Sequence, residues 1–164
     1  MPATSPVYRV LFVCMGNICR SPAAEGVFRR RVIEAGLSAR IEMDSAGTGG
    51  WHAGNPPDER MTRAAARRGY EHTGLARQVM ASDFRRFDLV LIMDHQNKRD
   101  IQVFLPDSPE REKLRMFCEF CTRFGDDEVP DPYYGGPSGF DRVLDLLEDG
   151  CENLLTHIRS KLAA

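Results

Sequence analysis

The amino-acid sequence predicts an α/β fold: an open parallel sheet of about four strands with helices on both faces. Two observations support this prediction. Short apolar segments alternate along the chain with helical patterns, which is the order expected of a parallel sheet. The first apolar segment, 7–13, is hydrophobic almost throughout, as expected for a strand buried on both faces. At 164 residues, the chain is predicted to form a single domain, 1–164, large enough to bury a core.

The first strand is followed by a helix, predicted over 22–35 from apolar residues at three- and four-residue steps. Ser21 is a favourable N-cap residue, and Pro22 suits the first position of a helix. The helix is therefore expected to begin at this pair. Gly36 is expected to end it in the left-handed conformation.

Similar reasoning gives the remaining elements. Further strands are predicted over 41–44, 89–93 and 113–117, and helices over 58–68, 82–86, 95 to about 104, and 140–162. The segment 113–117 is the weakest of the strands because its alternation is poor. The last helix is the most regular, since apolar residues recur at helical spacing from Phe140 to Leu162.

The segment from Val10 to Pro22 carries the strongest functional signal. A strand runs directly into Cys14, five residues separate Cys14 from Arg20, and a helix follows. The backbone N–H groups of such a loop, with the positive end of the helix, form an anion-binding nest. Arg20 adds a planar fork suited to a tetrahedral oxyanion. The same field is expected to hold Cys14 as a thiolate, which makes it a nucleophile directed at phosphorus.

The residues CMGNICRSP from Cys14 to Pro22 resemble the phosphate-binding loop of the low-molecular-weight protein tyrosine phosphatases. The residues VPDPYYG over 129–135 resemble the family's second motif, which carries the general acid. Segments 44–48 and 54–58 resemble two further family segments. Because these motifs occur in family order, the resemblance covers essentially the whole chain. It implies a cysteine-dependent phosphatase that hydrolyses phosphotyrosine in proteins, and small aryl phosphates, without a metal or organic cofactor.

The resemblance also assigns roles to residues. Cys14 is the expected nucleophile, Arg20 the phosphate ligand and Asp131 the general acid and base. The phosphate-binding loop comprises Met15, Gly16, Asn17, Ile18, Cys19 and Arg20; Asn17, Ser21 and Ser45 support it; and Met15, Trp51, Tyr133 and Tyr134 form the cleft wall. Without the resemblance, a simple turn is the favoured interpretation of Asp131-Pro132. Asp126, Asp127 and Glu128 are competing candidates for the acid.

Three further expectations follow from the resemblance. Tyr133 and Tyr134 match sites that a kinase phosphorylates in the family. Cys19 matches a cysteine that traps the oxidised nucleophile as a reversible disulfide. The family histidine that supports the loop falls here at Gly74, so either His72 replaces it from two residues earlier or the network lacks a histidine.

The role of the cysteine pair Cys118-x-x-Cys121 has more than one interpretation. One such pair is a weak zinc signal because structural zinc needs four ligands. The pair is therefore either a redox pair or two buried thiols, and burial is favoured. It also keeps a second activity open, since one group of arsenate reductases resembles this fold and uses additional cysteines. A non-catalytic phosphotyrosine-binding module is disfavoured because Cys14, Arg20 and Asp131 are all present.

Composition sets the remaining expectations. The net charge of −2, with both signs interspersed, indicates neither nucleic acid nor an anionic membrane as a partner. No apolar run approaches the length of a membrane span, and residues 1–6 do not resemble a signal peptide. Five cysteines is an odd number, which favours a reducing, cytoplasmic location over a disulfide framework.

Overall fold

The computed structural model describes residues 6–71, 74–132, 136 and 138–163. Within these residues, four parallel strands form one sheet: β1 (Tyr8–Cys14), β2 (Ile41–Gly47), β3 (Leu89–Ile92) and β4 (Leu114–Met116). The strand order is β2-β1-β3-β4, so β1 lies inside the sheet and pairs with β2 on one side and β3 on the other. The predicted parallel α/β sheet is confirmed.

Helices cover both faces of this sheet. They are α1 (Arg20–Glu34), α2 (Glu59–Arg67), α3 (Asp83–Arg86), α4 (His95–Asp100) and α5 (Ser138–Leu162), with 3₁₀ turns at Ile101–Phe104, Pro109–Lys113 and Phe117–Phe120. Side chains of β1 alternate between two cores. Phe12 packs in the core with Phe28 of α1 and Leu147 of α5, whereas Leu11 packs in the other core with Phe84 of α3.

The strand order reverses at β1, which makes this edge of the sheet the expected position of a binding crevice. The connection after β1 leads to β2 on one side, and the chain then returns to β3 on the other side. In open α/β sheets, ligands bind outside the carboxyl ends of the strands at such a switch point. The loop that begins at Cys14 lies there.

The prediction of Ser21 as an N-cap is wrong. Helix α1 begins at Arg20, its N-cap is Cys19, and no side chain caps it. The Ser21 hydroxyl is instead directed at the Cys14 sulfur, 3.0 Å away. The start of the helix is left open towards the loop, where its N–H groups are available to an anion.

Strand β2 is longer than predicted. Its pairing with β1 continues through Ser45, Ala46 and Gly47, which lie opposite Phe12, Val13 and Cys14. Ser-Ala-Gly has a poor intrinsic preference for strands, but the neighbouring strand supplies the hydrogen-bond ladder. The predicted left-handed conformation of Gly36 is confirmed, with φ +70°.

No helix in the described part of the chain combines the length and the apolar character needed to cross a lipid bilayer.

Candidate active site

The loop between β1 and α1 is held by hydrogen bonds on its outer side. The N–H groups of Thr48, Gly49 and Asp58 donate to the carbonyl oxygens of Cys14, Met15 and Ile18 at 2.9, 3.0 and 2.7 Å. With these carbonyls directed outward, no N–H group of residues 15–19 donates to another group within the described residues. Consecutive inward N–H groups of this kind form a concave site for an anion.

Two glycines allow neighbouring segments to approach this loop. A Cβ on Gly47 would lie only 2.8 Å from the Met15 carbonyl oxygen and 3.1 Å from the Asn17 nitrogen. A Cβ on Gly16 would lie 2.8 Å from the imidazole of His52. Any larger residue at Gly47 would therefore displace the loop backbone itself.

Cys14 lies at the floor of the loop and is only 2% exposed. Its Sγ is 3.0 Å from Ser21 Oγ, and the Asn17 side-chain amide donates to the same hydroxyl at 2.9 Å. Because Asn17 supplies the donor to Ser21, the Ser21 proton is available to the sulfur or, at 3.3 Å, to the Ala46 carbonyl oxygen. Ser21 is thus placed to stabilise negative charge on the Cys14 sulfur.

Asn17 fixes the shape of the loop. Its backbone is left-handed, with φ +56°, and its Oδ1 accepts a hydrogen bond from the backbone N–H of Arg77 at 2.9 Å. Ser45 lies beside Asn17 around a small cavity, but its side chain interacts with the Glu25 carboxylate. Within the described residues, the Asn17 side chain is hydrogen-bonded to Ser21 and to Arg77 and not to Ser45. His72 lies outside the described residues.

Arg20 is buried, at 2% exposure, and is held on two sides. One guanidinium nitrogen donates to Asp94 Oδ2 at 2.6 Å and to the Val129 carbonyl oxygen at 3.0 Å. The other lies 3.7 Å from Asp131 Oδ2. Burial lowers the pKa of Arg20, but the charge of Cys14 and the bond to Asp94 more than offset this effect, so that its pKa is raised. The guanidinium therefore stays charged beside the loop.

The position of Asp94, directly after the third buried strand, predicts that it lies at this crevice, but the sequence gives it no role there. It follows β3, caps α4 and accepts a hydrogen bond from the Asn97 N–H at 2.7 Å, while its other oxygen binds Arg20. The feature that indicates this position is a carboxylate soon after a buried strand, at the sheet edge where the site lies. Its partner could not be identified because Arg20 is distant in the sequence.

Asp131 lines the cleft beside Arg20, whereas the three competing acids have other partners. Asp126 pairs with Arg142 at 2.5 Å. Asp127 lies 3.4 Å from the His95 imidazole, and Glu128 accepts from the His95 N–H at 3.2 Å. His95, Asp127 and Glu128 have potential metal-binding atoms within 4.8 Å of one another. The contacts of His95 with Asp127 and Glu128 already explain why these atoms lie close together.

The cleft encloses about 130 Å³. It is lined by Cys14, Met15, Gly16, Ile18, Cys19, Arg20, Trp51, His52 and Asp131. Trp51 is 66% exposed and stands at the mouth, where an aromatic wall was predicted. Tyr133 and Tyr134, the other predicted wall residues, lie outside the described residues.

The remaining cysteines differ in their relation to the cleft. Cys19 lines it, and burial together with the charge of Cys14 raises the pKa of the Cys19 thiol. Cys19 is therefore a protonated thiol at neutral pH. Among the described residues that line the cleft, neither Cys118 nor Cys121 appears.

Comparisons with known proteins agree with this geometry. The family model for the low molecular weight phosphotyrosine protein phosphatase matches residues 9–164. A Synechocystis protein whose name places it among the low molecular weight protein-tyrosine-phosphatases is 51% identical over 94% of this chain and 98% of its own length. A low molecular weight protein-tyrosine-phosphatase of Streptomyces coelicolor is 45% identical over 94% of this chain and 96% of its own.

The fold is similar to a solved structure as well. The crystal structure of a protein tyrosine phosphatase from Entamoeba histolytica, with Hepes in its active site, superimposes with a TM-score of 0.91. It is 42% identical in sequence, and the match covers 94% of this chain and 98% of that one.

Proposed function

The chain belongs to the family of low molecular weight phosphotyrosine protein phosphatases and is therefore a protein-tyrosine-phosphatase; we propose that it acts through a phosphocysteine intermediate. In this proposal Cys14 is the nucleophile, Arg20 binds the phosphate and Asp131 is the general acid and base. The observation that carries the proposal is that these three residues line one cleft around a loop of inward N–H groups.

The first step is attack of the Cys14 thiolate on phosphorus. The bond from phosphorus to the phenolic oxygen breaks as the bond to sulfur forms. The N–H groups of the loop and the Arg20 guanidinium hold the equatorial oxygens. Asp94 and the Val129 carbonyl support this role by fixing one side of the guanidinium, so that little reorganisation is needed during the reaction.

Asp131 would complete both steps. Its carboxyl first gives a proton to the departing phenolate, and its carboxylate then takes a proton from the water that attacks the phosphocysteine. Cys14 leaves as a thiolate in that second step. The Ser21 hydroxyl, 3.0 Å from the sulfur, would stabilise the thiolate as it departs.

The depth of the site favours an aryl phosphate. Cys14 is buried at the floor of the cleft and Trp51 is exposed at its mouth, and Met15 and Ile18 also line the cleft. A flat aromatic ring spans this depth and gains contact with apolar walls, whereas phosphoserine is shorter and offers no ring. We therefore propose phosphotyrosine in proteins, and small aryl phosphates, as substrates.

Hydrolysis of p-nitrophenyl phosphate near pH 6, with chelator present, tests the mechanism. We expect turnover by the wild type, none by Cys14→Ser, and a loss of about 10²–10⁴ in kcat for Asp131→Ala. Asp127→Ala is the matched control, because this neighbouring carboxylate is 85% exposed and pairs with His95 outside the cleft. It should retain the wild-type kcat. Absence of turnover by folded wild type would overturn the proposal.

Two further parts of the proposal concern regulation and location. A kinase acting on Tyr133 and Tyr134 rests on the family resemblance alone. A reducing, cytoplasmic location is supported by five cysteines that are all free.

The position of Cys118 and Cys121 away from the cleft lining speaks against arsenate reduction, in which further thiols must reach the nucleophile.

A further inference from the structure

Cys118 and Cys121 lie on a single turn that the phosphatase mechanism does not use. The 3₁₀ turn Phe117–Phe120 follows β4 directly, and the Cys121 N–H donates to the Cys118 carbonyl oxygen at 3.1 Å. In a 3₁₀ turn, side chains three residues apart eclipse one another, and a rise of about 2 Å per residue places their Cα atoms about 6 Å apart. This separation lies within the range that a disulfide spans.

The two cysteines of this turn differ in exposure. Cys118 is 7% exposed and belongs to the core, whereas Cys121 is half-buried. Cys121 Sγ lies 3.5 Å from the Leu146 carbonyl oxygen of α5, and a Cβ on Gly150 would lie 3.3 Å from it. The Cys121 sulfur therefore packs closely against the backbone of α5.

Buried polar contacts hold the backbone of this turn in place. The Asp149 carboxylate, 2% exposed, accepts hydrogen bonds from the N–H groups of Thr122 and Arg123, both at 3.0 Å. Asn153 adds a hydrogen bond to the Phe120 carbonyl oxygen at 2.7 Å. Because the separation of the two Cα atoms already suits a disulfide, we expect the two sulfurs to join by rotation of their side chains.

We propose that Cys118 and Cys121 are a redox modification site, which a hydroperoxide converts into an intramolecular disulfide. The Cys121 sulfur attacks the peroxide, the O–O bond breaks, and Cys121 becomes a sulfenic acid as the peroxide is reduced to an alcohol, or to water from hydrogen peroxide. Cys118 then attacks the sulfenic sulfur, and its proton leaves with the hydroxyl as water. Two thiols are oxidised and one peroxide is reduced.

The order of the two steps follows from the environment of each thiol. Cys121 is the more exposed of the two residues. The neighbouring Cys121 thiol, together with burial, raises the pKa of Cys118, so Cys118 stays protonated while Cys121 reacts with the peroxide. Zinc does not offer an alternative use, because within the described residues no third potential ligand groups with this pair.

Peptide mapping by mass spectrometry tests this proposal independently of phosphatase activity. The variant Cys14→Ser/Cys19→Ser, which lacks both thiols of the cleft, is treated with hydrogen peroxide and digested without reductant. We expect residues 118 and 121 to be linked with a loss of about 2 Da, and dithiothreitol to restore the two thiols. The same map is measured on the wild type, so the result does not depend on the folding of the double variant.

Two single changes in the same background provide the controls. Cys121→Ser should abolish the linked species, whereas Cys151→Ser should retain it, because Cys151 is fully buried with its Sγ directed at the Ala24 carbonyl oxygen. A link between Cys121 and Cys151 would overturn the proposal. So would oxidation of either residue to a sulfinic acid without a disulfide, and neither result would affect the phosphatase mechanism.

Discussion

Asn17 combines a left-handed backbone with two hydrogen bonds at the centre of the phosphate loop. Asn17→Gly keeps the conformation and loses the hydrogen bonds, so we expect its free energy of unfolding to fall by about 1–3 kcal/mol. Asn17→Ala adds the strain of a positive φ, partly offset by the greater flexibility of glycine in the unfolded chain. It should be less stable by about a further 0.5–1 kcal/mol. Urea denaturation with a constant m-value measures both changes.

Asn55 supplies a matched control for this comparison. It is an exposed asparagine near the cleft, and its side chain lies 3.4 Å from the His52 imidazole. Asn55→Ala should stay within about 0.5 kcal/mol of the wild type. Asn17→Ala as stable as Asn17→Gly would contradict the argument, because the left-handed backbone would then carry no cost.

The site residues illustrate what a sequence conveys about a site. Cys14 and Arg20 belong to one short loop that lines the cleft. Because the two residues are close in the chain, their spacing can be recognised in the sequence. The contacts that hold Arg20 are different in kind. Asp94 lies 74 positions further along the chain, and the Val129 contact is made by a backbone carbonyl, a group that every residue carries. Such contacts follow only from the folded topology.

Helix α2 depends on one capping residue, Asp58. Its Oδ1 accepts hydrogen bonds from the N–H groups of Arg60 at 2.9 Å and Met61 at 3.2 Å. Burial raises the pKa of Asp58, but these bonds and the Arg60 guanidinium outweigh that effect, so its pKa is lowered. The folded pKa therefore lies below the unfolded value of about 3.9. The contribution of Asp58 to stability is present above that value and is lost as the pH falls through the folded pKa.

Asp58→Ala should consequently lower the free energy of unfolding by about 1 kcal/mol at pH 7. The difference from the wild type should shrink as the pH is lowered below about 4. Denaturation with urea across this pH range measures the effect. Asp58→Asn keeps a capping group without a titratable charge, so its stability relative to Asp58→Ala should not vary with pH. A constant difference between wild type and Asp58→Ala down to low pH would contradict the role of the charge.

The elements differ in how far their bounds could be predicted. Helix α5 was predicted well because its apolar periodicity is long and uninterrupted. The predicted start of α1 is wrong because the Ser21 hydroxyl contacts the Cys14 sulfur and does not cap the helix. Strand β4 is only three residues long and exists through its pairing with β3. Tertiary contacts therefore decide the elements whose local sequence signal is weak.

The sheet as a whole concentrates the site at one edge. Helix α1 packs on one face with α5, and α3 contributes to the core on the other face, so the carboxyl ends of β1 and β3 meet between the two layers. The loop that begins at Cys14 extends β1, and Asp94 follows β3. Parts of the molecule that are distant in sequence thus converge on the proposed anion site, and an anion bound there should stabilise the whole fold.

Inorganic phosphate should therefore raise the melting temperature of the protein. A ligand at 100 times its Kd stabilises the folded state by about 2.7 kcal/mol if it does not bind the unfolded chain. For a chain of this size, that corresponds to an increase of about 5–10 °C. Thermal unfolding is measured with phosphate and with sodium chloride at equal ionic strength, because screening alone also changes stability.

Variants of two arginines separate specific binding from general electrostatics. Cys14→Ser should retain most of the increase, since the loop N–H groups and Arg20 remain. Arg20→Lys should lose most of it, because lysine lacks the planar fork that pairs with two phosphate oxygens. Arg63→Lys, on the exposed side of α2, should behave as the wild type. An increase of equal size in Arg20→Lys would place phosphate elsewhere on the molecule and contradict the assignment of Arg20 as its ligand.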